Sequence, residues 1–188
     1  MQKTVQVEED PRISIPAPDR AARSLAMAQL YDMLKTADRG QKQVTGLKTS
    51  LTNAMESWKK PGAPKIPENI QKAAEALAKQ VEEIHGKFVV PQQPLGSAGP
   101  PLGYTPPPFP QRVGRLLFAI EGYTAAPTPQ QSEEVAVVSR LLGDTMDKLK
   151  KLIDEDLVQL NKQMNEAGIQ HISVAEEAAP APRRRRPD

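Results

Sequence analysis

The chain has 188 residues and 0 Cys, with 2 His, 19 Pro and aromatic residues at only 4%. The length suits about one domain, which buries roughly 70% of its unfolded surface, so a packed core needs no covalent staples. Disulfides, iron–sulfur clusters, thiolate zinc sites and cysteine nucleophiles are excluded, and two histidines cannot form a three-histidine metal site. The formal charge of +2 is not spread over the chain, because Arg183, Arg184, Arg185 and Arg186 carry four positive charges close to the end. Without them the balance becomes −2, which argues against a basic nucleic-acid-binding face.

Thr4-Val5-Gln6-Val7-Glu8 alternates apolar and polar residues and meets Asp10-Pro11, the pattern of a half-buried strand closed by a turn. One strand cannot make a sheet, and nothing later in the sequence offers a partner for it. Residues 1–17 therefore read as a strand-like arm and linker that pairs with a neighbouring β domain, of this chain or another. An arm lying on the helices is the looser alternative.

Residues 18–172 read as an all-α, four-helix bundle of long helices. From Asp19 to Trp58 there is no proline, and Leu30, Met33, Ala37, Gly40, Val44, Leu47, Leu51, Ala54 and Trp58 step by three and four. That is the seam of a helix packed lengthwise on others, about 60 Å long. Gly40 and Gly46 weaken it, so a kink or break is expected between them. The seam also suits pairing with a second copy as a homodimer. After the turn at Pro61-Gly62-Ala63-Pro64, a second helix opens at Pro67-Glu68 and runs through Ile70, Ala74, Leu77, Val81, Ile84 and Phe88.

Residues 91–110 hold eight prolines with Gly96, Gly99 and Gly103, which forbids helix and central strand alike. Pro106, Pro107, Pro108 and Phe109 offer a Pro-rich ligand for a partner groove. The stronger expectation is a crossover loop pinned on the bundle by Leu102, Tyr104 and Phe109.

A third helix is expected from about Gln111, with Val113, Leu116, Leu117, Ile120 and Tyr123 on one face. Thr128-Pro129-Gln130-Gln131 is a capping box that opens the fourth. That helix carries Val135, Val138, Leu142, Thr145, Leu149, Leu152, Ile153, Leu157, Leu160 and Met164 inward. Gly168 closes it in the left-handed conformation, with Ile169 folding back. Residues 173–188 form a disordered Pro/Arg tail.

No arrangement of side chains here reads as an active site. Glu82 and His85 make one Glu-x-x-His motif of the di-iron type, but the second is missing, since Gly168 stands three before His171. Asp156 lies near the fourth helix's apolar line, where a bundle edge accounts for it. No nucleophile elbow or phosphate-cradling glycine loop occurs. No cofactor is expected. Four arginines without interleaved aromatics make a weak, salt-sensitive anion contact, so nucleic acid is not an expected partner. No run of residues is long and apolar enough to span a membrane.

The order of features resembles the C-terminal helical region of large bacterial proteins with sortilin-like, sialidase (BNR)-repeat β-propellers, often labelled glycosyl hydrolases. The resemblance rests on Val5-Gln6-Val7-Glu8-Glu9-Asp10-Pro11-Arg12-Ile13, Leu30-Tyr31-Asp32 and Ala125-Ala126-Pro127-Thr128-Pro129-Gln130. It continues at Asp156-Leu157-Val158-Gln159-Leu160-Asn161 and Ala167-Gly168-Ile169. It implies a non-catalytic accessory module following a β-sandwich, exported with the larger protein, and cytoplasmic if the chain stands alone. None of the propeller repeats is present, the only Trp being Trp58, so the resemblance carries no catalytic residue over.

Overall fold

The computed structural model describes residues 14–62, 64–89 and 106–174. The strand-like arm Thr4–Glu8, loop residues 91–105 and Arg183–Arg186 lie outside the described residues. Helix α1 spans Ala17–Ser57, α2 Glu68–Phe88, α3 Phe109–Glu121 and α4 Pro129–Lys151. Helix α4 continues through a π-helical turn, Leu152–Leu157, into α5, Val158–Glu166. Among the described residues there is no strand, and the fold is an all-α helical bundle.

Helix α1 is the spine. Its first turn tolerates Pro18 because the missing amide would have had no helical partner there. Leu30, Met33, Ala37, Gly40, Val44, Leu47 and Leu51 are buried along its length, the expected seam. The expected break between Gly40 and Gly46 does not occur, and the two glycines have different reasons to exist. A Cβ on Gly40 would sit 2.6 Å from Met146 Sδ and 2.7 Å from Phe88 Cζ, so glycine lets neighbouring side chains reach the backbone. A Cβ on Gly46 would meet nothing within 4 Å. Gly46→Ala is expected to raise stability by about 0.5–1 kcal/mol through helix propensity alone. Gly40→Ala reverses the sign, because overpacking a core costs roughly 1–3 kcal/mol and outweighs that gain. Paired urea titrations check both, and equal shifts would show that Gly40 is not a packing position.

Helices α2 and α3 share one column and run antiparallel to successive halves of α1. Lys48 pairs with Glu82 at 2.6 Å, and Phe88 lies over Gly40. The Phe88 and Phe109 rings meet at 5.5 Å with a 59° tilt. Further along, the Arg23 guanidinium donates to Ile120 O at 3.3 Å and Glu121 O at 2.8 Å. Carbonyls at a helix end lack partners within the helix, and Arg23 supplies donors here beside the 3.4 Å bond from Tyr123 N to Ile120 O. The four helices thus make three columns at any level, with α4 and α5 as the third.

Helix α3 begins two residues before the expected Gln111, since Pro110 fits its first turn. It ends at Glu121, so Tyr123 falls beyond it and is 71% exposed, a correction to its expected place on the buried face. The Thr128 capping box is formed in both directions: Gln131 N donates to Thr128 Oγ1 at 3.2 Å, and Thr128 N donates to Gln131 Oε1 at 2.9 Å.

The π turn answers a one-residue excess in the apolar line. Leu149 and Leu152 are three apart, Leu152 and Leu157 five apart, and Leu160 and Met164 then resume the ordinary spacing. A five-residue step overshoots one α-helical turn by about 140°, which would carry α5's apolar side chains off the core. The wider turn absorbs the extra residue and leaves Leu157 buried. Ile153, expected in the line, is half-buried instead.

Candidate interaction surfaces

The C-terminal end of the bundle is built by α5 and the extended segment after it. Gly168 takes φ +68, Ile169 N donates to Met164 O at 2.8 Å, and Gly168 N donates to Asn165 O at 3.1 Å. This is the Schellman closure expected from the sequence. It turns the chain back so that Ile169 and Ile172 are buried. Asn161 then clamps the segment: its Nδ2 donates to Ile172 O at 2.8 Å, and Ile172 N donates to its Oδ1 at 2.7 Å. Val174 still packs on the core, so the packed chain runs past the expected boundary at 172.

Between this segment and the last turns of α1 lies an open cleft of about 470 Å³, lined among others by Asn53, Ser57, Trp58 and His171. A second open groove, about 460 Å³, runs between α1 and α4 past Asp32, Thr36, Ala136 and Ser139. Among the described residues no three His, Asp or Glu side chains gather as metal ligands.

The Glu82 and His85 pair sits beside α1, where Lys48 takes the Glu82 carboxylate. Burial, helped by the Lys48 charge, pushes the His85 imidazole below its ordinary value, while Glu82 acts the other way. Glu82 is thus engaged in an ion pair between helices. Asp156 is half-buried at the edge of the α4–α5 apolar line.

The proline segment divides along its length. Pro106 is exposed and Pro107 half-buried, whereas Pro108 and Phe109 are buried. Phe109 is 6% exposed and packs on Phe88, so a partner cannot reach it. The expectation that Pro108 and Phe109 contact a partner is corrected here: they hold α3 against α2. Because Phe88 and Phe109 touch, the chain between them leaves and returns at one level of the bundle. Replacing residues 91–104 by a four-residue Gly/Ser link halves that connection and is therefore expected to keep the fold and raise stability by about 0.6 kcal/mol through shorter loop closure. Thermal and urea unfolding check this, and a clear loss would show that Leu102 and Tyr104 do pin the loop.

Sequence reasoning missed three features of these surfaces. Arg112 Nη2 meets Glu134 Oε1 at 2.6 Å, tying α3 to α4. Asn161 gave no signal of its clamp. Tyr31, Phe118 and Tyr123 are exposed by 44%, 79% and 71%.

The chain matches no family model, no curated protein and no solved structure.

Proposed function

We propose that this chain is a non-catalytic structural and interaction module, the C-terminal helical region of a larger exported β-propeller protein. Its resemblance to sortilin-like, sialidase-repeat proteins at Val5–Ile13 and Asp156–Ile169 suggests the setting. The observation that carries the structural part is the continuous helix α1, Ala17–Ser57, which starts directly after the arm and linker. A neighbour held by the arm is thereby joined to a spine about 60 Å long. Two columns packed along that spine stiffen it. In this role the arm Thr4–Glu8 pairs with the neighbouring β domain, and the bundle sets the distance to whatever lies beyond.

The test is the mass of the native protein that carries this sequence, read by immunoblot of cell and culture fractions. A band far above 20.6 kDa in the exported fraction is expected. A band near that mass inside the cell would overturn the reading. It would favour a stand-alone binding protein, with Pro106 and Arg183–Arg186 as the first contacts to mutate.

A further inference from the structure

Three clefts on one side of α1 join into a single groove. Asp32, Thr36, Arg39, Gln43, Ser50 and Asn53 line them from the α1 side. They step by three or four, or by seven across Gly46, which keeps them on one helix face. Opposite them, Ala136, Ser139, Gly143, Asp147 and Lys150 line the lower two clefts at the same spacing. Residue numbers rise together on both walls, so α4 runs parallel to α1, with Gly40 beside Met146.

The upper stretch of this groove already holds extended chain. Ile169 N donates to Met164 O, and Ile172 sits in the Asn161 clamp three residues back along α5. Gly168 to Ser173 line the cleft together with Ser50, Asn53 and Trp58 of α1. The segment therefore descends the groove, antiparallel to α5, and Val174 still packs on the core at its lower end. Below it the groove is open, with about 360 Å³ past Arg39 and Lys150 and about 460 Å³ past Asp32 and Ser139.

We propose that residues 175–188 continue down this groove as a strap over the seam between α1 and α4. Their chemistry changes in the same order as the groove's. At about 3.2 Å per extended residue and 1.5 Å per helical one, each step of the strap passes about two residues of α4. Counted from Ile172 at Asn161, Glu177 arrives level with about Lys150, Ala181 with about Leu142 and Arg183 with about Val138. The Gly40–Met146 pairing puts Asp32 at that last level too.

The acidic pair Glu176-Glu177 thus reaches Arg39 and Lys150. Asp147 and Asp154 line the same stretch, so it holds the pair by the position of its two cations and not by net charge. Ala178-Ala179-Pro180-Ala181-Pro182 then crosses the part lined by Thr36, Ser139 and Gly143. Small side chains there leave room for a polyproline segment, which loses little entropy on docking. Arg183 comes to the Asp32 carboxylate.

Pulsed electron spin resonance on the full chain, with nitroxides at Arg140→Cys and Ala181→Cys, tests this. The strap puts the two labelled positions about 3 Å apart along the groove, so a narrow distribution below about 20 Å is expected. It should persist when labelled chain is diluted with unlabelled chain. Val174 stands about 25 Å up the groove from Arg140, so a tail hanging free from it gives a broad distribution centred beyond that distance. That result would overturn the proposal. A short distance that fades on dilution would put the tail in the groove of a second copy, and so overturn it too. Glu176→Lys with Glu177→Lys in the same labelled chain should broaden the distribution, and an unchanged one would overturn the register.

Discussion

Phe88→Ala is expected to cost about 3–5 kcal/mol, the largest effect of any single truncation considered for this bundle. Phe88 is 2% exposed and stands where three columns meet. Its ring lies over Gly40, against Phe109, beside the sulfur side of Met146. Glycine at position 40 leaves no Cβ to fill the space, so the cavity left by the ring has no ready way to collapse. Loss of the ring also frees Phe109 from its contact between the start of α3 and the end of α2. Urea unfolding should show the lower midpoint together with weaker protection of α3 amides in hydrogen exchange. A cost below about 1 kcal/mol would mean that the junction is held by other contacts.

The second large effect is expected at Asn161. Asn161→Ala removes both hydrogen bonds to Ile172 and leaves a part-buried N–H and carbonyl without partners. Two such losses cost roughly 2–3 kcal/mol together. The effect should be local: residues 169–174 peel away, while α1 and α4 keep their protection. Hydrogen exchange of the peptide containing Ile172 measures it directly. Asn161→Asp is the informative companion, since it keeps an acceptor for Ile172 N and loses the donor to Ile172 O. An Asn161→Ala variant with unchanged exchange there would show that Ile169 and Ile172 hold the segment through packing alone.

These two positions mark what the sequence made legible. Phe88 belongs to a run of apolar residues at helical spacing, and such a run reports burial without knowledge of what covers it. The capping box at Thr128 and the left-handed Gly168 were legible for the same local reason, because caps are settled within four or five residues. Asn161 is of another kind. Its partner is eleven residues away, beyond a helix end, and an asparagine on a polar helix face looks the same with or without that partner.

Three elements were misread for identifiable physical reasons. Gly40 carries the propensity of a helix breaker, but tertiary packing set its role, with Phe88 and Met146 filling the space a side chain would need. The π turn was hidden because Ile153 offered a plausible four-residue step to Leu157, which masked the five-residue step the core uses. Pro110 looked like the end of a loop, yet proline is as much at home in a first helical turn. The sharing of one column by α2 and α3 needed the contact between Phe88 and Phe109, which no periodicity reports.

The module reading requires α1 to be one straight spine. The chain has 0 Cys, so nitroxide labels can be placed at Leu25→Cys and Glu56→Cys without background sites. Pulsed electron spin resonance should then give one narrow distance distribution near 46 Å, the length of 31 residues at 1.5 Å each. A broad or distinctly shorter distribution would mean a hinge in the glycine-bearing stretch between Gly40 and Gly46, and would contradict the account.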